Sequence, residues 1–344
     1  MSTTTAPDIA ETCDRRGIEH VVHCHADHFE PEEVAKSIGR DADVALWMER
    51  CAPAIPTLFV KPPLGFRRDA TTEIGMRLHP NSRADIEAGY LRTLVALGAG
   101  VGVHVHHEAW TCNEVPDSKL SAGQRELHDL ARAQDSQRLD HARMAEMVRS
   151  SLEWLRSVTG LALDEWHFVH GCWAFGASDP EICKLEDELP LLYSLGCRAD
   201  FSFPAGRRRC DPSWDRPKWV VPASGKRAFE AGDPRDCYAA DRMLVWASKA
   251  DEWWCGLDTY SADSKRLTES TDKIERYLAL CPVVNGTAYV KTCGHGMNAH
   301  YWPRADDPQP TLGAFARELV ETCERARIGL EFATTERVVA ELSR

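Results

Sequence analysis

The chain lacks the features of several protein classes. No apolar run among its 344 residues approaches the roughly 20 needed to cross a bilayer. Basic residues are also in the minority, since 41 Lys and Arg against 53 Asp and Glu give a formal net charge of −12. Nucleic acids and anionic membranes bind basic protein faces. We therefore expect neither nucleic acid nor membrane insertion.

Signals for export and for disulfide bonding are equally scarce. Residues 1–17 are polar with mixed charge and have no apolar core, which predicts a flexible N-terminal segment and a cytoplasmic location. The 13 cysteines are scattered and include no Cys-x-x-Cys pair. Neither a disulfide framework nor a cysteine zinc site is indicated, and most of the thiols are expected to be buried.

The amino-acid composition is typical of a globular domain. With 43% hydrophobic and 27% charged residues, the chain can bury a core and remain well solvated. No repeat or linker divides it, so residues 18–344 are predicted to form a single domain. Residues at about 204–240 are rich in Pro, Gly, Arg and Asp and predict a long loop excursion, of a length that usually covers a site.

Hydrophobic periodicity predicts alternating helices and strands, which is typical of an α/β fold. Near the N-terminus it predicts a buried strand at 18–24 ending in a polar turn, then a helix to about residue 50. A helix at 85–97, ended by glycines, leads into a strand at 101–107. The remaining predicted strands are 166–170, 197–203, 243–246, 287–292 and 330–332, and the remaining helices are 120–158 (broken near 134–136), 186–195, 311–328 and 335–342.

Histidines crowd two windows at the ends of predicted strands. The first window also contains Asp27, and its histidines are His20, His23, His25 and His28. The second window is followed by Glu108, and its histidines are His104, His106 and His107. Imidazole with carboxylate suits zinc, iron, manganese or nickel, and α/β barrels place active sites at the ends of their strands. These windows predict a metal site.

Strand alternation separates the candidate ligands. His104 and His106 share a face of their strand and His107 points away. His20 and His23 lie on opposite faces, and either is compatible with ordinary packing.

Two further segments carry candidate functional residues. His170, followed by glycine and an aromatic turn with Trp173, is compatible with a substrate-facing loop. His295 follows a strand between two glycines, which suits either proton transfer or a simple turn. Trp110 and Trp173 are candidates for stacking on a sugar, with loop packing as the alternative.

Taken together, the segments resemble a branch of the NodB-homology polysaccharide deacetylases, a carbohydrate esterase family 4-like group often associated with surface-polysaccharide genes. The resemblance covers roughly residues 20–340, and residues 170–204 are its most specific part. Its motifs, in order, are Asp27-His-Phe-Glu-Pro, Val103-His-Val-His-His-Glu, Val169-His-Gly-Cys-Trp-Ala, the stretch from Glu188-Leu through Leu195-Gly-Cys-Arg-Ala-Asp-Phe-Ser-Phe-Pro, and Val290-Lys-Thr-Cys-Gly-His-Gly.

The resemblance implies a distorted (β/α) barrel and one divalent metal ion, with zinc first and cobalt, nickel or iron as alternatives. By position, Asp27 matches the metal aspartate of the first motif. His104 and His106 match the second-motif histidines, with His107 as the alternative to His106. His295 matches the histidine that acts as general acid.

The chain departs from the family pattern at identifiable positions. Ala26 stands where the general-base carboxylate normally precedes the metal aspartate, and Cys293 stands where the last motif normally has its first histidine. The second motif lacks His-x-x-x-His spacing. A replacement base is needed, and the candidates in order of preference are Glu108 and His25, then His28 and Glu30.

The implied reaction removes an N- or O-linked acetyl group from a sugar or glycoconjugate precursor, with His170, Trp173 and Trp110 as candidate substrate contacts. Two alternatives remain open. The His23-Cys-His25 segment is similar to the His-x-His of amidohydrolase-type TIM barrels. A non-catalytic relative that binds a glycan or a partner is the other.

Overall fold

The computed structural model describes residues 9–30, 43–71, 76–80, 83–105, 136–171, 175–177, 183, 185–203, 218–220, 222, 241–246, 257, 270–296 and 311–343. Its strands, in chain order, are β1 (His20–Phe29), β2 (Pro56–Val60), β3 (Leu64–Arg68), β4 (Met76–Pro80), β5 (Gly100–Val105), β6 (Trp166–His170), β7 (Cys197–Asp200), β8 (Lys218–Val220), β9 (Met243–Val245), β10 (Val283–Val284), β11 (Thr287–Gly294) and β12 (Gly329–Phe332).

The helices of the described ranges are α1 (Ile9–Arg16), α2 (Val44–Cys51), α3 (Ala84–Ala96), α4 (Ser136–Thr159), α5 (Glu188–Ser194), α6 (Ser270–Leu280), α7 (Thr311–Ala326) and α8 (Thr335–Leu342). Within these ranges, no helix is both long and apolar enough to cross a membrane. The α/β prediction is confirmed, because helices alternate with strands of a largely parallel sheet.

The central sheet has ten strands in the order β10-β11-β1-β2-β5-β6-β7-β9-β8, with β12 paired to β1. Its pairs are parallel except β10 with β11 and β8 with β9, which are antiparallel. A separate antiparallel pair joins β3 to β4. In the described part of the chain the sheet has two ends, at β10 and β8, and does not close into a barrel.

The sheet is nevertheless strongly curled. Five strand spacings separate β11 from β7 in the sheet order, which would span about 24 Å in a flat sheet. Yet the Lys291 ammonium on β11 donates to the carbonyls of Phe201 and Phe203, just beyond β7, at 2.9 and 2.7 Å. A single side chain therefore bridges strands that only a curled sheet can bring together.

The first strand is longer than predicted. The polar turn expected after Cys24 is wrong, because residues 25–29 continue as strand and pair in parallel with β2. Pairing with β11 runs along the same strand, from His20 to Asp27. Hydrogen bonding on both edges keeps this histidine-rich stretch extended and buried.

Two strands share one edge of β1. β12 pairs with residues 20–23 and β2 with residues 25–29, while β11 occupies the opposite edge. The chain then passes from β12 into α8, whose first turn bonds to the amino ends of other strands. Thr335 N–H donates to Thr57 Oγ1 on β2, and Thr335 Oγ1 lies 2.9 Å from His167 Nδ1 on β6.

Other elements refine the sequence predictions. Residues 9–16, predicted within a flexible segment, form α1, and Arg16 donates to the carbonyl of Cys281 at 2.7 Å.

Pro190 lies in the first turn of α5, where proline removes no helical hydrogen bond. The strand β8 lies inside the predicted loop excursion at 204–240. Residues 31–42 and 120–135, predicted as helix, lie outside the described residues.

His23 is a core histidine. It is 1% exposed and packs against the rings of Phe315 and Phe332, at centroid distances of 5.4 and 5.5 Å. Its Nε2 lies 2.9 Å from the Thr292 hydroxyl. Burial, reinforced by the neighbouring His25, lowers the pKa of His23 to about 3, so the ring is neutral near neutral pH.

This buried neutral ring predicts a specific acid sensitivity. Between the ordinary pKa of 6.5 and about 3 the unfolded chain binds a proton at His23 that the folded chain does not, so stability falls as pH falls, by up to about 1.4 kcal/mol per pH unit. In His23→Gln, whose amide can still bond to Thr292, urea denaturation is expected to show a shallower loss of stability from about pH 7 to about pH 5. Arg92→Met, at an exposed position of α3 and with no group that titrates in this pH range, is the control and should keep the wild-type slope. An equal slope in His23→Gln and wild type would contradict the assignment.

Candidate functional site

Four polar side chains meet at the carboxyl ends of three strands. His28 and Glu30 come from the end of β1, His104 from β5, and His295 from just beyond β11. The His28 ring lies between the other two, with ring centroids 4.8 Å from His104 and 4.6 Å from His295. We call these four residues the edge cluster.

His104 is held in one orientation. It is 1% exposed, and its Nδ1 lies 2.9 Å from the carbonyl oxygen of Val169 on the neighbouring strand β6. A carbonyl only accepts, so Nδ1 carries the proton and Nε2 is directed to Glu30 Oε1, 3.1 Å away. A backbone carbonyl on one ring nitrogen is the arrangement that orients metal-binding histidines.

Charge at the edge cluster is mixed. Lys61, which follows β2, places its ammonium 3.8 Å from Glu30 Oε1, the same oxygen that faces His104. His295 is part-exposed and His28 is buried. The cluster therefore combines buried imidazoles with a carboxylate and an imidazole that solvent can reach, which suits either metal binding or proton transfer.

Asp27 and His25 lie on the other face of β1 from His28. Side chains alternate along β1, so these two residues share a face with His23, while His28 points to the other side. His25 Nδ1 lies 2.8 Å from the Thr292 hydroxyl, and its Nε2 lies 3.4 Å from Asp27 Oδ2. The structure thus brings the sequence-predicted residues His104 and His295 close to His28, and it places Asp27 and His25 on the opposite face of β1.

Asp27 is tightly enclosed. It is 0% exposed, and its Oδ2 accepts a hydrogen bond from Gly296 N–H at 2.8 Å. A Cβ atom at Gly296 would lie 2.6 Å from Asp27 Oδ2 and 2.6 Å from the Trp47 ring of α2, so only glycine fits there. Among the described residues, Asp27 Oδ1 has no hydrogen-bond partner.

Five of the sequence-predicted site residues lie outside the described residues: His106, His107, Glu108, Trp110 and Trp173. Their roles stay predictions.

A second group of ligand-type side chains lies where β6 ends and α5 begins. It contains His170, Cys183 and Glu188, all buried, with one ligand atom of each within 4.8 Å of the others. We call it the His170 cluster, and it can hold a metal ion. His170 was predicted from the sequence as a substrate contact, but here it is 0% exposed and faces Glu188.

Burial dominates the electrostatics of this region. Removal from water, with a smaller contribution from the charge of Asp200, raises the pKa of Glu188 to about 8, although hydrogen bonds from Gly176 and Cys183 act against the shift. Burial also raises the pKa of Asp200 to about 7, against the hydrogen bonds of Ser202 and the charge of Lys291. Near neutral pH both carboxyl groups are therefore at least partly protonated.

The Ser202 side chain links the Asp200 carboxyl group to the backbone of β6. The Ser202 hydroxyl donates to Asp200 Oδ1 and accepts from the His170 backbone N–H at 2.7 Å. Lys291 then holds the carbonyls of the residues on either side, Phe201 and Phe203. The backbone after β7 is thus fixed by side chains of its own segment and of β11.

Sequence reasoning missed several residues of both clusters. The sequence ranks Glu30 and His28 only as lower-ranked bases, and it does not point to Cys183, Glu188 or Lys291. Glu188 and Lys291 lie within the motif segments of the family resemblance, but nothing in the local sequence shows that they are buried. A charged residue inside a predicted buried strand, as Lys291 is, was the one available signal.

Comparison with protein-family models and with curated proteins finds no match to the chain.

The Lys291 bridge predicts a large loss of stability on its removal. Lys291→Met keeps most of the apolar stem but leaves two buried carbonyls without their donor, which should cost about 2–4 kcal/mol of unfolding free energy. Urea denaturation followed by circular dichroism measures the loss. Arg92→Met, at an exposed position of α3, is the control and should change stability by less than about 0.5 kcal/mol. Equal effects in the two variants would show that the bridge contributes nothing.

Proposed function

We propose that the chain is a metal-dependent hydrolase that removes an acetyl group from a sugar or glycoconjugate. The edge cluster is the observation that carries the proposal: three imidazoles and a carboxylate, from three strands of a parallel sheet, meet at the carboxyl edge. This is the edge at which α/β enzymes assemble their sites. The resemblance to the NodB-homology deacetylases supplies the reaction class.

The donors of the edge cluster fit a divalent metal ion. His104 Nε2, fixed by the bond from Nδ1 to Val169, and the Glu30 carboxylate are ligands of the types that zinc and similar metals take. His28 is the third candidate ligand, and His106 or His107 remain candidates from the sequence. We propose zinc first, with cobalt, nickel or iron as alternatives.

A bound metal ion would polarise the acetyl carbonyl and lower the pKa of its water toward about 7. The protein's own part is to orient and to move protons. Val169 holds the tautomer of His104, and Lys61 holds the carboxylate of Glu30 in place. His295, part-exposed and against His28, is positioned to give a proton to the leaving group.

The edge cluster also offers candidates for the general base. Ala26 occupies the usual position, and His25 is hydrogen-bonded on the helix-facing side of β1. Glu30 and His28 both lie beside His104 or its neighbouring ring, so we propose that whichever of the two does not bind the metal takes the proton from water, with Glu108 retained as the candidate from the sequence.

The amidohydrolase alternative gains no support. It would need the His-x-His pair at residues 23–25 to hold a metal, but His23 Nε2 and His25 Nδ1 both bond to the Thr292 hydroxyl. His23 is also enclosed by two phenylalanine rings.

Two finer points complete the proposal. The curl enforced by Lys291 supports a distorted barrel of the NodB type as the overall architecture. The described cysteines are all free thiols, which supports a reducing compartment such as the cytoplasm.

Metal content tests the placement of the site. His104→Ala is expected to lower the bound metal by about one atom per chain, measured by elemental mass spectrometry after dialysis, because it removes an oriented ligand. Asp27→Asn, a matched polar change on the other face of β1, should retain the metal if the edge cluster is the site. Thermal melts establish that both variants fold. Loss of the metal in Asp27→Asn together with retention in His104→Ala would move the site to Asp27.

Acetate release tests the activity. Wild-type protein loaded with zinc or cobalt should release acetate from N- or O-acetylated sugars, and His295→Ala should lower kcat by about 10²–10⁴-fold, the usual contribution of an acid–base group. Its metal content should not change. His20→Gln, at the opposite end of β1, is the activity control. A folded, metal-loaded wild type that releases no acetate from any such sugar would favour the non-catalytic binding alternative.

A further inference from the structure

The His170 cluster has its own geometry, independent of the edge cluster. His170 Nε2 lies 3.4 Å from Glu188 Oε1, and Cys183 Sγ lies 3.7 Å from Glu188 Oε2. Zinc bond lengths of about 2.0 Å to oxygen or nitrogen and 2.3 Å to sulfur give tetrahedral edges of about 3.3 and 3.5 Å. The two distances run to different oxygens of the same carboxyl group, and one ligand atom of each residue lies within 4.8 Å of the others, so small side-chain movements would bring the three onto one metal ion.

The orientation of each ligand agrees with this geometry. His170 Nδ1 bonds to the carbonyl of Gly171, which places the proton on Nδ1 and the lone pair on Nε2, toward Glu188. Glu188 Oε2 accepts from the backbone N–H of Gly176 at 2.7 Å, which fixes the carboxylate. Gly176 itself has a left-handed φ of 59°, a conformation that favours glycine.

One atom of the cluster is unsatisfied. Glu188 is 0% exposed, and its Oε1 accepts no hydrogen bond from the residues that the structure describes. Buried carboxylate oxygens are normally hydrogen-bonded, because desolvation without a partner costs free energy. This oxygen is directed at His170 and lies on the side where a cation would sit.

We infer that His170 Nε2, Cys183 Sγ and a Glu188 carboxylate oxygen form a second metal site, which takes a thiophilic divalent ion of the zinc class. Thiolate, imidazole and carboxylate together select zinc or cobalt over magnesium and calcium, which prefer oxygen ligands alone. On binding, the thiol of Cys183 and any protonated Glu188 carboxyl group lose their protons to solvent, and the metal ion takes the place of those protons.

The second site is separate from the edge cluster. In the parallel pairing of β5 with β6, His104 lies beside Val169 and His170 lies beside Val105. Neighbours in register share a face, and faces alternate along a strand, so His104 and His170 point to opposite sides of the sheet. One metal ion cannot serve both clusters, and neither inference requires the other.

The site has a structural consequence. Its ligands come from the end of β6, from residue 183 and from the first turn of α5. A metal there ties the segment that leads into α5 to the carboxyl edge of the sheet, and its binding free energy adds to the stability of the fold.

Cobalt absorption tests this site without reference to catalysis. Metal-free full-length protein is titrated with Co²⁺, and a thiolate-to-cobalt charge-transfer band in the near ultraviolet is expected in the wild type. Cys183→Ser should abolish that band, and Glu188→Gln should weaken cobalt binding at this site at least about tenfold. Cys323→Ser, which removes a buried thiol of α7, is the matched control and should keep the band.

The remaining outcomes separate the two metal sites. His104→Ala should keep the charge-transfer band while losing about one metal ion, and Cys183→Ser should lose the band and one metal ion while the His104-dependent ion stays. A wild type that binds cobalt with no thiolate band overturns the second site, whether or not any variant folds. Persistence of the band in a folded Cys183→Ser protein overturns it as well. Either result leaves the edge cluster untouched.

Discussion

The alternation of side chains along β1 decides which histidines of the first window can act together. The strand is hydrogen-bonded on both edges, to β11 on one side and to β12 and then β2 on the other. It therefore cannot rotate or slip, because a shift by one residue would exchange its two faces. The side chains of His23, His25 and Asp27 point to the helix-facing side of the sheet, and that of His28 points to the edge cluster.

The orientation of the side chains on β1 is coupled to the rest of the molecule through β11. Thr292 of β11 binds both His23 and His25, so the two imidazoles share one hydroxyl, which can donate to only one of them. One residue earlier, on the opposite face, Lys291 reaches across to the backbone beyond β7. A single stretch of β11 thus fixes the core histidines on one face and curls the sheet toward the other.

Much of the fold could be predicted from the sequence, for physical reasons that differ between elements. The strand 166–170 and the helix 335–342 were predicted with the bounds observed, because periodicity and turn residues mark both ends. The predicted first strand is too short because the polar composition of its second half, with histidines and Asp27, is typical of a turn. Only the long-range pairing with β2 shows that this half is a strand. The helix α1 was missed because its stability depends on contacts with residues some 265 positions away, such as that of Arg16 with Cys281.

The edge cluster was predictable as a region of the chain and not as a set of residues. Histidine density identified both windows, but the choice among neighbouring residues depends on strand register, which composition does not contain. For that reason Glu30, 74 residues from His104 in sequence, could not be paired with it in advance. The His170 cluster is harder still, since its members become neighbours only when α5 folds against the end of β6.

Assigning family roles by sequence position is least reliable on a strand, because a shift of one residue moves a side chain to the other face. The first motif assigns a metal carboxylate to Asp27, yet the face that carries His104 and His295 receives His28 and Glu30 from the same segment. Ala26 shares that face with His28, and its small side chain leaves the position of the usual base without a polar group. Glu30 lies four residues further along, and its Oε1 lies 3.1 Å from His104 Nε2. If the chemistry of the first motif is retained at this edge, its carboxylate is supplied from the end of β1 and not from Asp27, and the buried Asp27 instead serves to close β1 against Gly296 and α2.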